Sequence, residues 1–389
     1  MAEPRSADAA ARLRRAPVPD ALAAEERARR VVVAAAAQLG PPAPRRRAMP
    51  WAGAALSLAL IAALAVVLAA TPPGDAVARW VRDLVGAGPS AGPSRPVLDR
   101  LPAAGRLLVT GPGGAWVVHR DGARRRLGPY RDAAWSPGGR FVAVTREGTL
   151  LAVEPGGRVR WALARAKTLR APRWSSTGFR IAYRAGGAMR VVAGDGTGDH
   201  LLVHRVAAVP AAWRPGPATT QVALVRRGGT VELWAADTPT RLWRLRAPRA
   251  LALAWTPAGR RLVVIRRGGV TTFDARGRRE RTWRVPAVTG GALAPDGRRV
   301  ALLRGRRLEL LDLRSGARRP AYGAPEPLAS ATWSPDGRLV LVAVPRTDQW
   351  LFLPVARGGR LAANSGIARQ FDPARGVPRG APAVADWGP

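Results

Sequence analysis

The feature that most constrains the fold is a short motif that recurs about every forty residues. One copy reads AAWSPGGRFVAV and another reads ATWSPDGRLVLV. In each copy an apolar segment ends at an anchor residue, a Pro/Gly turn follows, and three further short strand segments complete the unit. Successive anchors are 39, 39, 42, 38 and 40 residues apart, at Trp135, Trp174, Trp213, Trp255, Leu293 and Trp333. Four short strands in a unit of this length are typical of a β-propeller blade, and we expect each anchor tryptophan to pack between neighbouring blades.

The number of blades follows from the two ends of the repeat region. Residues 101–127 contain a second, third and fourth strand without a first, at Leu107–Val109, Trp116–Val118 and Arg124–Leu127. The segment Pro382–Pro389, which contains Trp387, has the pattern of that missing first strand. Seven blades over residues 101–389 give about 41 residues each, whereas six blades need about 48. We therefore predict an all-β, seven-bladed propeller closed by the C-terminal strand, with six blades as the alternative.

The motif text resembles that of a known repeat family. Trp333–Arg338 reads W-S-P-D-G-R, which is similar to the WD40-like repeats of the TolB type, here in a membrane-anchored bacterial form. A fainter resemblance to quinoprotein-type propellers rests on Leu233–Asp237 with Trp243, and on Phe273–Gly277 with Trp283. Those repeats imply tryptophans docked around a propeller and do not by themselves make a cofactor site. No cofactor is predicted.

An uncharged apolar segment precedes the repeats. Trp51–Ala70 has twenty residues, enough for a helix to cross the hydrocarbon core of a bilayer. Arg45–Arg47 stand before it, and a basic flank of this kind normally stays in the cytoplasm. We predict a transmembrane helix within residues 49–71 of a single-pass protein of the inner (cytoplasmic) membrane, with its N-terminus cytoplasmic and its propeller extracytoplasmic. A cleaved signal peptide is the alternative.

Two arms flank the apolar segment. Residues 1–48 are interpreted as a cytoplasmic arm with a short helix that begins near Asp20. Residues 72–100 combine an amphipathic juxtamembrane helix with a Gly/Pro/Ser linker at 86–96. The apolar positions of that helix are Val77, Trp80, Val81, Leu84 and Val85.

The chain is strongly basic, with 63 Lys+Arg against 26 Asp+Glu and a net charge of +37. Apart from Lys167, all of these cations are arginines, and they are scattered through turns rather than gathered on one element. Nucleic-acid binding is therefore not favoured, although a surface this basic should attract anionic polymers. The absence of cysteine excludes disulfides and a catalytic thiol.

The sequence offers little that points to catalysis. His200 and His204 would lie about 13 Å apart on a strand, which is too far for joint metal ligation. They, with Asp195 and Asp199, are interpreted as turn and surface residues. No nucleophile or phosphate-loop motif is present. The prediction is a protein without catalytic residues or a metal site, and not an enzyme.

The least repeat-like stretch follows the last anchor. The fourth strand of the last blade is placed near Arg360, and a loop of roughly twenty residues then leads to the closing strand. Loops of this length often carry function. Two interpretations stay open: a latch that seals the ring, or a contact site for a ligand or partner. The candidate residues are Asp348, Gln349, Trp350, Asn364, Arg369, Gln370, Phe371 and Asp372.

These features together predict a membrane-anchored, extracytoplasmic, non-enzymatic binding or scaffold module of the cell envelope. The expected partner is a protein or an anionic envelope polymer. One alternative is a transmembrane regulator of anti-sigma-like layout that links an external sensor to a cytoplasmic partner. A second alternative is a propeller enzyme. Fold alone does not decide among these functions.

Overall fold

A computed structural model describes residues 98–165, 167–216, 220–356, 358–371 and 382–388. The predicted arm, transmembrane helix, juxtamembrane helix and linker all lie outside these residues, as does Asp372. Within the described ranges no helix has the length and hydropathy needed to cross a bilayer. The described helices are α1 (Ile367–Phe371) and a 3-10 turn at Pro345–Thr347.

The described strands form seven antiparallel sheets of four strands each. The first blade combines the C-terminal strand β28 (Ala383–Gly388) with β1 (Arg106–Gly111), β2 (Gly114–Val118) and β3 (Arg124–Gly128). Blades 2 and 3 contain β4 (Asp132–Trp135), β5 (Val142–Arg146), β6 (Thr149–Val153), β7 (Val159–Ala164), β8 (Leu169–Trp174), β9 (Arg180–Ala185), β10 (Ala188–Ala193) and β11 (His200–Val203). Blades 4 and 5 contain β12 (Ala212–Trp213), β13 (Gln221–Val225), β14 (Thr230–Ala235), β15 (Thr240–Arg246), β16 (Ala250–Trp255), β17 (Arg261–Arg266), β18 (Gly269–Asp274) and β19 (Arg279–Arg284). Blades 6 and 7 contain β20 (Gly290–Leu293), β21 (Arg299–Arg304), β22 (Arg307–Asp312), β23 (Arg318–Gly323), β24 (Ser330–Trp333), β25 (Leu339–Val344), β26 (Gln349–Pro354) and β27 (Ala362–Ser365).

The ring is closed by the C-terminal strand, which confirms the prediction of seven blades over six. β28 pairs antiparallel with β1, and Trp387 stands opposite Leu107. The first strands of successive blades contact one another around the whole ring, from β4 through β24 to β28 and back to β4. The first strand of each blade is therefore innermost, and closure removes the exposed edges that an open sheet would leave.

The anchor tryptophans bind neighbouring blades together, as the repeats predict. Trp213 Nε1 donates a hydrogen bond to the carbonyl of Arg173 in the preceding blade at 2.8 Å. Trp333 Nε1 donates in the same way to Ala292, at 2.9 Å. Each of these two indoles is buried, so an apolar ring fills the space between blades while its N–H finds a backbone partner.

A second set of tryptophans docks at the periphery, as the fainter resemblance implies for Trp243. Its Nε1 donates to the carbonyl of Ala275 in the next blade at 3.0 Å. Gly277, with φ of 82°, lies against the ring, and a Cβ there would come within 3.0 Å of it. Trp161 of blade 2 docks in the same way on blade 3, where its Nε1 donates a hydrogen bond to the carbonyl of Gly194 at 2.9 Å.

The meander gives the propeller two distinct faces. Turns between first and second strands, and between third and fourth strands, lie at one end of each sheet, which we call the turn face. Turns between second and third strands share the opposite end with the connections between blades, which we call the loop face. Aspartates stabilise turns of the turn face: Asp274 Oδ1 accepts from the backbone N–H groups of Arg276 and Arg278 at 2.9 and 2.8 Å.

Candidate functional site

The sequence-predicted candidate residues lie where blade 7 meets blade 1, a region we call the seam. The Trp350 side chain is fully buried, and its ring centroid is 5.4 Å from that of Phe371 on α1. Phe371 also meets Trp116 of blade 1 edge to face, with centroids 5.8 Å apart. These aromatic contacts join α1 to both blades, and each such pair contributes beyond simple burial.

The polar candidates of the seam are occupied mostly by bonds within the chain. Asp348 Oδ1 accepts a hydrogen bond from the N–H of Ala368 in α1 at 2.8 Å. Gln349 Nε2 donates to Ser365 Oγ at 3.1 Å. Gln370 Oε1 accepts from the backbone N–H of Leu98 at 3.1 Å. Of the seven described candidates, Arg369 is exposed, whereas Asn364 is buried.

One predicted boundary is wrong. The fourth strand of blade 7 is Ala362–Ser365 rather than a segment near Arg360, and Asn364 lies within it, opposite Trp350, instead of in the following loop. The third strand ends at Pro354, which has no N–H to donate, and Gly358 and Gly359 follow before pairing resumes. The contacts of the described candidates join blade 7 to blade 1, as a latch requires, and contact of the eight candidate residues with a ligand or partner stays a prediction.

The interpretation of Asp199 as a surface residue is also wrong. Its side chain is 4 % exposed and binds Arg165 and Arg190, the latter at 2.6 Å. The Tyr183 hydroxyl donates to its other oxygen at 2.5 Å. Burial opposes ionisation of Asp199, but the hydrogen bonds from Arg190, Tyr183 and Arg165 outweigh it and lower the pKa of the carboxyl. Burial and the bond to Asp199 raise the pKa of Tyr183 to about 12.

The histidine and aspartate pattern near residue 200 forms turn contacts. Asp195 Oδ1 accepts from the N–H and hydroxyl of Thr197 at 2.9 and 2.7 Å. The ring nitrogens of His200 lie 2.9 Å from the carbonyl oxygen of Gly198 and 2.7 Å from that of Ala236. The described part of the chain has no cluster of three His, Asp or Glu side chains able to hold a metal ion.

Two carboxylates lie on innermost strands of adjacent blades. Asp132 on β4 accepts from the N–H of Ala171 at 3.3 Å and lies 3.7 Å from Arg170. Asp386 lies on β28, and burial raises the pKa of its carboxyl, opposed by the charge of Arg173 and by a backbone N–H. The repeat pattern indicates neither carboxylate, because their positions depend on which strand of each blade is innermost.

An apolar cleft opens on the turn face between blades 2 and 3. Its cavity has a volume of 550 Å³ and is walled by Phe141, Trp161, Trp174 and Phe179. The Phe179 side chain is 70 % exposed at its mouth, the highest value for a large apolar side chain in the described ranges. An exposed aromatic side chain beside an apolar cleft is typical of a binding surface.

Phe179 departs from the repeat in a specific way. It directly follows the glycine of the first turn in blade 3, where four other blades carry an arginine. Those arginines are Arg140, Arg260, Arg298 and Arg338. Aligning the turn sequences, S-S-T-G-F against S-P-D-G-R, would have found the site from sequence alone.

Basic side chains surround the mouth of the cleft. The guanidinium of Arg140 stands over the ring of Phe141, 5.3 Å from its centroid. Arg180 pairs with Asp237 at 2.8 Å, and Arg160 pairs with Glu154. Asp195 also lines the cleft. The cleft therefore offers an apolar floor with the guanidinium of Arg140 at its edge, which suits an apolar group that carries a negative charge on the Arg140 side.

Comparison with known proteins supports the fold and nothing narrower. No family model matches the chain, and no curated protein matches it. Among 1663 matching solved chains is one from a mitotic checkpoint complex, with a TM-score of 0.50 and 19 % identity over 60 % of this chain and 75 % of that chain. Another is hydrazine synthase of Kuenenia stuttgartiensis, with a TM-score of 0.47 and 12 % identity over 57 % of this chain and 76 % of that chain. The chain thus has a seven-bladed, WD40-like β-propeller fold, and this fold by itself does not identify a function.

Proposed function

We propose that the protein is a membrane-anchored, extracytoplasmic binding or scaffold module of the TolB-like kind, without catalytic activity of its own. The observation that carries the proposal is Phe179, which stands exposed over an apolar cleft where other blades have arginine. An exposed aromatic side chain costs solubility, so a contact that covers it is the simplest physical reason for its place.

The chemistry of the cleft defines the partner. Aromatic side chains supply large contact areas at interface centres, and arginine is common at their rims. Arg140 has no carboxylate partner in the described structure, and Arg180 is shared with Asp237. The partner is a protein segment that inserts an apolar side chain between blades 2 and 3 and sets carboxylates beside it.

The cleft is tested by photocrosslinking in intact cells. A photoreactive phenylalanine analogue at position 179 should yield one dominant crosslinked species. The same analogue at position 338, the equivalent turn position in blade 7, where the chain has an exposed arginine, should yield none. Equal yields at both positions, or none at 179, would remove the cleft from the proposal.

The anchor and orientation are supported by the apolar segment Trp51–Ala70 and the preceding Arg45–Arg47. Protease applied outside intact cells should remove a C-terminal epitope while leaving an N-terminal epitope protected. If an outer layer shields the propeller, the C-terminal epitope should become accessible once that layer is opened. An epitope still protected at that stage would place the propeller in the cytoplasm and refute the envelope location.

The non-enzymatic part of the proposal draws on the acidic side chains. Glu232 is buried and held by Arg226 at 3.3 Å and Arg241 at 3.2 Å. Both oxygens of this carboxylate are thus engaged by side chains of the same chain. Among the carboxylates of the described residues, Asp386 has a pKa raised by burial, so a turnover abolished by Asp386→Asn in a folded variant would favour the enzyme alternative.

A further inference from the structure

Blades 4 and 6 contain the same buried ion cluster. A glutamate at the same register on the third strand, Glu232 or Glu309, faces an arginine at the end of the second strand and another at the start of the fourth. In blade 6 these arginines are Arg304 and Arg318, the latter 3.8 Å from the carboxylate. Each blade thus holds one carboxylate between two guanidinium groups.

Blade 5 keeps the arginines and lacks the carboxylate. The register position of the glutamate is taken by Thr271, opposite Val264. Arg266 ends the second strand and Arg279 begins the fourth. Arg266 donates to Thr271 Oγ1 at 2.9 Å, while its Nε is buried without a hydrogen-bond partner. A buried guanidinium N–H without an acceptor is costly, so an acceptor bound at this site would stabilise it.

The space around Arg266 is an open groove rather than a filled core. The groove has a volume of 810 Å³ and is also lined by Arg246, Arg279 and Arg284. Thr271 and Thr282 place their hydroxyl oxygens 3.3 Å apart at its wall. No Asp or Glu side chain lines it. Four guanidinium groups and two hydroxyls therefore converge on a solvent-reachable space without a counter-charge.

The loop face around this groove strengthens the positive potential. The turns and loops at 204–211, 226–229, 247–249, 267–268, 285–289 and 305–306 contain no Asp or Glu. Six further arginines of this face are exposed, and none forms an ion pair within the described ranges: Arg205, Arg227, Arg249, Arg267, Arg306 and Arg307. Such a field concentrates anions near the entrance of the groove.

We infer that the groove in blade 5 is a binding site for a phosphate group. In blade 5 the oxyanion takes the position that the glutamate carboxylate holds in blades 4 and 6. There it accepts hydrogen bonds from Arg266, Arg279 and the two threonines. Phosphate is favoured over a carboxylate because four guanidinium groups exceed the charge of one carboxylate, and the arginine fork binds phosphate oxygens in pairs. This site lies apart from the Phe179 cleft and does not depend on its proposed function.

The test uses the full chain in detergent, with inorganic phosphate as the probe. Calorimetric titration at fixed ionic strength should show saturable binding of phosphate, and of pyrophosphate at least as tightly, but not of acetate. Thr271→Glu restores the carboxylate of the neighbouring blades, whereas Thr271→Gln adds similar bulk without charge. Both variants lose the threonine hydroxyl, and Thr271→Glu should bind phosphate at least about tenfold more weakly than Thr271→Gln. Pyrophosphate binding that exceeds phosphate binding would point to a phosphorylated ligand rather than the free ion.

A matched pair of surface variants guards against misfolding of the Thr271 variants. Arg279→Gln should also weaken phosphate binding about tenfold, and Arg338→Gln, with the same net charge but on blade 7, should leave it unchanged. Equal binding by the wild type and Thr271→Glu would overturn the inference. So would equal losses in Arg279→Gln and Arg338→Gln, acetate that binds as tightly as phosphate, or no saturable phosphate binding at all.

Discussion

Replacing Trp387 with alanine should weaken the closed ring strongly. Trp387 lies on the closing strand β28, is 4 % exposed, and packs edge to face against Phe352 of blade 7 with centroids 5.7 Å apart. Its Nε1 donates to the carbonyl of Ala104 at 3.1 Å. One side chain thus links the C-terminal strand to both blade 7 and the chain entering β1.

The expected loss of unfolding free energy is about 4 kcal/mol. Truncating a buried tryptophan costs about 3–5 kcal/mol. That range already includes the aromatic pair, worth about 0.5–1.5 kcal/mol, and the indole hydrogen bond, worth about 1 kcal/mol. Trp387→Phe keeps much of the ring but loses the N–H donor, so its loss should be about 1–2 kcal/mol.

Urea denaturation followed by far-ultraviolet circular dichroism measures these losses. Leu242→Ala is the matched control, because Leu242 is 46 % exposed and its loss should be within about 0.5 kcal/mol. If Trp387→Ala lies within about 1 kcal/mol of the wild type, the closing strand does not stabilise the ring as argued. A shift equal to that of Trp387→Phe would refute the part assigned to ring packing.

Other expected outcomes concern single side chains. Asp199→Asn should lower the unfolding free energy by about 2–3 kcal/mol near neutral pH, since it leaves two partly exposed arginines without their counter-charge. The pKa of Asp199 is lowered in the folded state, so the loss of unfolding free energy should be fully present above the ordinary carboxyl pKa. It should vanish as pH falls through the pKa of Asp199 in the folded protein. Urea titrations of both proteins at several pH values measure this. The pKa of Tyr183 is raised to about 12, so its stabilisation should be complete below pH 10 and be lost between about pH 10 and 12, readable by ultraviolet titration of tyrosinate. Phe179→Arg introduces the residue that four other blades have at this position. It should change the free energy of unfolding by less than about 0.5 kcal/mol, because the Phe179 side chain is already largely in solvent.

The sequence predicted those features that depend on local chemistry repeated along the chain. The Pro/Gly turns and anchor tryptophans fix where each blade begins, and six copies in phase define the blade length. The split first blade followed from counting strands at both ends, since Leu107 needed a partner strand and the segment around Trp387 had none of its own. Nothing in these steps required knowledge of contacts between blades.

Features that depend on contacts between blades were not predictable in the same way. Asp199 resembles a turn residue in its own repeat, and one of the two arginines that bind its carboxylate, Arg165, reaches it from blade 2. The fourth strand of blade 7 was misplaced for a different reason. The segment after Pro354 is rich in glycine and arginine and has no alternating pattern, so nothing local marks Ala362 as the start of pairing.

The repeats also supply an internal standard for finding function. Equivalent positions in the blades have the same structural role. A residue that differs from its counterparts, and whose difference does not improve packing, is therefore a candidate for a functional role. Phe179 replaces a solvated arginine and leaves an aromatic ring in water, which makes the isolated blade less soluble rather than more stable. Thr271 replaces a glutamate and leaves the buried Nε of Arg266 without an acceptor. Both departures are unfavourable within the chain alone, and each becomes favourable with a particular ligand: an apolar side chain over the cleft, or an oxyanion in the groove. Because Phe179 lies on blade 3 and Thr271 on blade 5, we expect that both ligands can be held at once.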